Sequence, residues 1–225
     1  MLTTPAACTK IRGHFAAAVA GPGTMDVLCL DLEGVLIPEI WIGVAERTGI
    51  AELRKTTRDL PVYDELMQMR LGVLHERGID FATIQSVIAG MDPLPGAADF
   101  LDWARARFQV AIISDTFYEF AQPLVAKLGA PLLLCHRLVI ENGRIVGYRI
   151  RQPDPKRHAV KAFQSLRYTV LAAGDSFNDI PMLEQADGGF FYRAPAAIAA
   201  QYPQFPHAED YRALAALLEG KSATA

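Results

Sequence analysis

Three observations predict an α/β protein built on a Rossmann-like parallel sheet with helices on both faces. Short apolar runs alternate with helical stretches along most of the chain, the order that builds a parallel sheet. Three of the runs end in polar clusters: Asp31-Leu32-Glu33, Ser114-Asp115-Thr116 and Gly174-Asp175-Ser176-Phe177-Asn178-Asp179. Between residues 39 and 91 no strand pattern occurs, which predicts a small helical cap inserted after the first strand. The expected organisation is an N-terminal extension over 1–24, a core over 25–38 and 92–225, and the cap over 39–91.

Val27-Leu28-Cys29-Leu30 is apolar at every position, as a strand buried on both faces must be. It runs straight into Asp31, Glu33 and Gly34. Glu39 to Glu46 reads as a helix with Pro38 and Glu39 at its start and Arg47-Thr48-Gly49 at its end. From Glu52 to about Gly90 the pattern is helical throughout. Leu66, Met67, Arg70, Leu71 and Leu74 share one face, and Phe81, Ile84, Val87 and Ile88 repeat the spacing. Met91 to Gly96 is a turn-rich hinge, followed by a helix from Ala97 to about Arg107. Val110 to Ile113 is the second buried strand, Phe117 to Leu128 a helix ending at Gly129, and Leu132 to Cys135 a third strand. Asn142-Gly143 between Val139-Ile140-Glu141 and Arg144 to Tyr148 signals a hairpin. Asp154-Pro155-Lys156-Arg157 opens a helix to about Leu166. Tyr168 to Ala173 is a fourth parallel strand, Ile180 to Ala186 a helix, Gly188 to Phe191 a fifth strand, and Asp210 to Leu218 a closing helix.

The carboxyl ends of parallel strands share one edge, where open α/β sheets bind ligands. Residues far apart in sequence therefore converge there, and their types suit phosphoryl transfer. Asp31 is the candidate nucleophile, since a carboxylate can carry a phosphoryl group as a covalent intermediate. A phosphate dianion repels it unless charge is neutralised. Asp31 and Asp175 are hard oxygen ligands suited to Mg²⁺. Lys156 supplies a fixed positive charge, and Ser114 with nearby backbone N–H groups donates to the phosphate oxygens. Glu33, two residues beyond Asp31, is placed to protonate the leaving alcohol and then to deprotonate the second nucleophile, which requires a partly desolvated site. Each cluster alone has an ordinary explanation. Asp-x-Glu at a strand end is often a solvated loop, and Ser-Asp-Thr is a common helix cap. It is the four together, in order and in strand context, that point to catalysis.

These motifs resemble the haloacid dehalogenase superfamily of phosphohydrolases, in which an Asp-x-Asp, a Ser or Thr, a Lys and a Gly-Asp-x-x-x-Asp occupy these strand ends. The second acid is Glu33 in place of Asp, one methylene longer. Asp-Leu-Glu-Gly-Val-Leu-Ile-Pro-Glu-Ile-Trp, Ser-Asp-Thr-Phe-Tyr-Glu-Phe, Arg-Gln-x-Asp-Pro-Lys-Arg and Ala-Ala-Gly-Asp-Ser-Phe-Asn-Asp are similar to the bacterial ThrH-type family, over about residues 25–211. That resemblance implies a phosphoserine phosphatase that also transfers the phosphoryl group to homoserine, in serine and threonine biosynthesis. It implies that Glu39 and Arg70 bind the amino-acid part of the substrate and that Asn178 touches it. Ser114, Asp115 and Lys156 would hold the phosphate. Asp31, the backbone carbonyl of Glu33, and Asp175 would hold Mg²⁺, with Asp179 supporting the metal site.

Bulk properties agree with a small-molecule enzyme. The 225 residues are 51% hydrophobic with formal net charge -3. No basic block offers a nucleic-acid footprint, and no apolar run approaches a membrane span. Cys8, Cys29 and Cys135 have no paired spacing, which fits a reducing cytoplasm. Lys10 and Arg12 precede a short apolar patch, Phe15 to Ala20, too brief for a secretory signal, so a flexible extension or a start at Met25 is expected. Oligomeric state is written in no motif, and a homodimer is allowed. Two other functions stay open: a phosphatase for a different small phosphomonoester, and a non-catalytic phospho-ligand sensor. A serine hydrolase does not fit, because no Gly-x-Ser-x-Gly occurs and none of the five histidines lies in a suggestive context.

Overall fold

The structure, a computed structural model, describes residues 26–222 except 57, 58 and 61. The readings of residues 1–24 and of Met25 lie outside the described residues. In chain order the elements are β1 (Val27–Leu30), α1 (Ile40–Thr48), a 3-10 turn (Ala51–Arg54), α2 (Tyr63–Glu76), α3 (Phe81–Ala89), α4 (Ala97–Arg105) and β2 (Gln109–Phe117). Next come α5 (Tyr118–Lys127), β3 (Leu132–Glu141), β4 (Arg144–Arg149), α6 (Pro155–Ser165), β5 (Val170–Gly174) and a 3-10 turn (Phe177–Asp179). The chain closes with α7 (Ile180–Gln185), β6 (Gly188–Tyr192), α8 (Ala196–Ala199), β7 (His207–Ala208) and α9 (Tyr211–Ser222).

One seven-stranded sheet runs in the order β4-β3-β2-β1-β5-β6-β7. Every neighbouring pair is parallel except β3 with β4. β1 lies at the centre, with all four of its residues buried. Its alternate side chains feed two cores. Leu28 and Leu30 face the cluster completed by α1, α3, α4, α5 and α9, while Val27 and Cys29 face the one completed by α6 and α7. Helices thus cover both faces, as the continuous apolar runs require. The chain leaves β1 towards β2 on one side and later returns through β5 on the other, so β1 and β5 form the switch point of the sheet. Leu30 pairs with Ile112 of β2 and with Ala173 of β5. That register brings Asp31 and Asp175, the residues just after β1 and β5, and Ser114, near the end of β2, to one edge.

Several local signals act as expected. Gly49 (φ 71°) ends α1 in the left-handed conformation. Asp80 caps α3 by accepting the Thr83 N–H at 2.8 Å. Asn142 and Gly143 both take positive φ, the requirement of a tight hairpin turn.

Three expectations need correction, and two short elements were not expected at all. The helical block is not continuous from Glu52 to Gly90: after the 3-10 turn, α2 begins only at Tyr63, with Pro61 in the interval and Gly78 (φ 64°) breaking the chain before α3. Leu132–Cys135 and Val139–Glu141 are not separate strands; they form one strand, β3, parallel to β2 at one end and antiparallel to β4 at the other. Phe117 belongs to β2 and precedes α5, so the Ser-Asp-Thr cluster closes a strand and caps no helix. The short α8 and the two-residue β7 had no periodic signal to reveal them. Among the described residues no helix is long and apolar enough to cross a membrane, and Cys29 and Cys135 are free and buried.

Candidate active site

Asp31 follows β1 and is tied to β5 through its N–H, which donates to the Ala173 carbonyl at 3.0 Å. Asp31 is 4% exposed, and Asp179, its neighbour across the site, is fully buried. Between them lies Lys156, from the first turn of α6, with Nζ 2.9 Å from Asp31 Oδ1 and 2.5 Å from Asp179 Oδ1. Pro155 at the start of that helix and the left-handed Asp154 (φ 45°) aim the lysine inwards. A buried ammonium needs such partners. Burial works to lower its pKa, but Asp179, Asp31 and Asp115 outweigh it and hold the group charged well above the usual lysine range.

Asp179 builds the turn after β5. Its Oδ2 accepts the N–H groups of Asp175 (2.9 Å) and Ser176 (3.0 Å), and the Ser176 hydroxyl oxygen lies 3.2 Å away. With Oδ1 on Lys156, both oxygens are engaged. Gly174 is needed beneath it, because a Cβ there would lie 2.3 Å from Asp179 Cγ. Gly34 does the same for Asp175: its φ is +80°, and a Cβ would lie 2.5 Å from Asp175 Oδ2.

Oxygens of Asp31, Asp175 and Asp179 all lie within 4.8 Å of one another. Three carboxylates are therefore crowded together, and Lys156 pairs with two of them, Asp31 and Asp179. Burial raises the pKa of Asp31 well above the ordinary carboxylate value; Asp179 and Asp175 add to the rise, while Lys156 opposes it. A hard divalent cation bound among these oxygens would relieve that repulsion, so the donor set fits Mg²⁺.

Glu33 sits in a tight turn in which Gly34 N–H donates to the Ile37 carbonyl at 2.9 Å. The turn brings the Glu33 carboxylate to the start of α1, where Oε2 accepts the Ile40 N–H at 2.9 Å. Burial, then the Glu39 carboxylate, push its pKa up to about 8, so the group can carry a proton at neutral pH. Glu39 itself is exposed at the cap position of α1.

Arg70 is buried, against the ordinary expectation for a helix arginine. Its guanidinium stacks 4.6 Å above the Trp41 ring and donates to the Lys55 carbonyl at 2.8 Å. Its buried Nε has no hydrogen-bond partner. Burial lowers its pKa to about 10, with Glu33, Tyr63 and Glu39 acting the other way. Ser114 is buried and its oxygen accepts the Thr116 N–H at 3.2 Å, which leaves the hydroxyl hydrogen to donate elsewhere. Asn178 donates from Nδ2 to Asp115 Oδ2 at 2.8 Å and accepts the Ser176 hydroxyl at Oδ1.

The structure thus gathers Asp31, Ser114, Asp115, Lys156, Asp175, Asn178 and Asp179 at one sheet edge, with Glu33 and Arg70 on the segment between β1 and β2. Sequence reasoning missed three participants. Tyr63 of α2 donates its hydroxyl to the Asp115 carbonyl at 3.1 Å. Trp41 supports Arg70. His136 lies 3.7 Å from Asp115 through Nε2. A signal existed for the last: His136 directly follows the apolar run Leu132 to Cys135, the same position that singled out the other clusters.

A strand-end carboxylate triad with a buried lysine defines a hydrolase site of one recognisable class, and the chain belongs to the haloacid dehalogenase-like hydrolase family, whose model matches residues 25–187. Among its relatives, a phosphoserine phosphatase of Pseudomonas syringae pv. tomato is 57% identical over 187 residues, covering 83% of this chain and 79% of that protein. Phosphoserine phosphatase ThrH of Pseudomonas aeruginosa is 56% identical over 191 residues, covering 84% and 93% respectively. Among solved structures, a phosphoserine phosphatase from T. onnurineus is 27% identical with a TM-score of 0.67 over 88% of this chain and 96% of its own. A substrate-bound phosphoserine phosphatase shares the fold at 18% identity, TM-score 0.71, over 87% and 97%.

Proposed function

We propose that this protein is a Mg²⁺-dependent phosphoserine phosphatase that works through an aspartyl-phosphate on Asp31. The observation that carries the reading is the buried Asp31–Lys156–Asp179 arrangement beside Asp175, with a buried arginine on the neighbouring helical segment. Two relatives above 50% identity that bear the phosphoserine phosphatase name support the choice of substrate.

Mg²⁺ would be held by Asp31, Asp175 and the backbone carbonyl of Glu33, with Asp179 supporting the site. When bound, the ion supplies charge neutralisation and alignment of nucleophile and phosphate. The chain's own residues do the rest. Lys156, Ser114 and the backbone around Asp115 bind the phosphate oxygens. Glu39 pairs with the substrate ammonium. Arg70 offers its fork to the carboxylate, and its unpartnered Nε is a donor in waiting. Asn178 contacts the same substrate. An Asp31 oxygen then bonds to phosphorus as the bond from phosphorus to the serine oxygen breaks, and protonated Glu33 gives its proton to that oxygen. In the second half Glu33 takes a proton from water, whose oxygen displaces Asp31 and releases inorganic phosphate.

In this reading residues 39–91 act as a cap over the core formed by 25–38 and 92–225, and the enzyme works in the cytoplasm. Homoserine is serine with one more methylene, so the same clamp would admit it as an acceptor in place of water, as the ThrH-type resemblance implies.

Purified protein given phosphoserine and Mg²⁺ should release phosphate, stop on chelation, and lose the activity in Asp31→Asn. No release from phosphoserine, with turnover of sugar phosphates instead, would move the reading to another phosphomonoester. Added homoserine should divert product to phosphohomoserine; an unchanged product mix would reject the transfer.

A further inference from the structure

We infer that His136 is a positioning residue that orients the Asp115 carboxylate and, through it, the substrate-facing amide of Asn178; this rests on the function proposed above. His136 lies on β3, outside the acid and lysine cluster, and is buried beside Phe117. The Arg151 backbone N–H donates to its Nδ1 at 3.2 Å. A neutral ring then carries its hydrogen on Nε2, and burial, opposed by Asp115, keeps the ring below the ordinary histidine pKa. Nε2 faces Asp115 Oδ1 at 3.7 Å, while the other oxygen of that carboxylate, Oδ2, accepts the Asn178 amide at 2.8 Å.

The Asp115 side chain has a reason to be held. A carboxylate next to a phosphate dianion repels it, so its value lies in the donors it arranges. Oδ2 lies 3.9 Å from Lys156 Nζ in addition to accepting from Asn178. The Ser176 hydroxyl takes Asn178 Oδ1, so the amide is fixed at both ends. Rotation of the Asp115 carboxylate would release the Asn178 end of this chain, and the only ring facing its second oxygen among the described contacts is His136.

Phosphoserine hydrolysis with Mg²⁺ separates this role from plain packing. His136→Phe keeps a ring and removes both nitrogens. His136→Asn keeps an amide near the Nδ1 position but cannot reach Asp115, whereas His136→Gln places an amide near Nε2. The expected result is about a threefold to fivefold loss of kcat/KM in His136→Phe and His136→Asn, carried mainly by KM, because a polar contact at 3.7 Å is longer and weaker than a hydrogen bond. His136→Gln should stay within about twofold of wild type, the geometry of one donor being retained. Combining His136→Asn with Asn178→Ala should cost no more than Asn178→Ala alone. If His136→Phe fails to fold, the comparison of the Asn and Gln variants decides. Wild-type kinetics in His136→Asn, equal losses in the Asn and Gln variants, or additive losses with Asn178→Ala would each overturn the inference. A wild type inactive on phosphoserine would instead overturn the proposed function.

Discussion

Asp31, Glu33 and Gly34 show how much chemistry three neighbouring residues settle. Asp31 is driven into a dry, acid-rich site, and Lys156 keeps it there. Glu33 is kept close to neutral by burial and by Glu39. Its folded pKa of about 8 exceeds the ordinary 4.5, so the folded state binds the extra proton between those values. Stability from this group is complete below the lower value, falls as pH rises through the window, and is level above it. In metal-free protein, Glu33→Gln should therefore melt progressively higher relative to wild type from pH 4.5 to pH 8, with a constant gap beyond. Melting curves across that range check it; a pH-independent gap would mean that Glu33 is an ordinary carboxylate. Gly34→Ala meets both a left-handed backbone and the Asp175 carboxylate, with Oδ2 2.5 Å from the new Cβ. A cost of about 1–3 kcal/mol is expected. At about 2–4 °C per kcal/mol that is a clear drop in melting temperature. Activity should fall at least tenfold, because Asp175 must move.

At the scale of elements, α2 is held to the sheet by polar contacts near the site. Tyr63 donates to the Asp115 carbonyl at 3.1 Å and meets Tyr148 of β4 edge-on, while the Tyr148 hydroxyl donates to Asp64. If α2 carries Arg70 over the substrate as proposed, Tyr63→Phe should raise KM for phosphoserine about twofold to tenfold with little change in kcat, the loss of one hydrogen bond. An unchanged KM would detach α2 from substrate binding. Element type was legible wherever a pattern ran long enough: β1, β5, α4 and the hairpin follow their residues closely. The break before α2 was not, because Leu60, Pro61 and Val62 look apolar enough to continue a helix while the proline disfavours one at the residue before it. The length of β3 was hidden by the polar pair His136-Arg137 in its middle, which looked like a loop until pairing with both β2 and β4 explained it.

Across the whole molecule, the sheet order puts the ends of β1, β2 and β5 side by side, and that was readable from three polar strand ends alone. The fine wiring was not. Nothing in the sequence announces that Asp179 spends both oxygens on a turn and a lysine, or that Arg70 is buried over Trp41, since both depend on contacts across the fold. The same wiring crowds the carboxylates of Asp31, Asp175 and Asp179 together, so the folded state should bind Mg²⁺ and gain stability by mass action. At a hundredfold excess over Kd the gain is about 2.7 kcal/mol. Wild type should thus melt about 5–10 °C higher in Mg²⁺ than with chelator, at about 2–4 °C per kcal/mol. Asp175→Asn should lose most of that rise; a rise that survives would place the ion elsewhere.

In the proposed reaction everything turns on Asp31 taking the phosphoryl group. Rapid mixing of the enzyme with phosphoserine and Mg²⁺, an acid quench, and mass spectrometry of the digested protein test it directly. A phosphoryl adduct on the peptide that contains Asp31, absent from Asp31→Asn and cleared on longer incubation, is the predicted result. Phosphate release at full rate with no adduct on that peptide, or with the adduct on another residue, would contradict it.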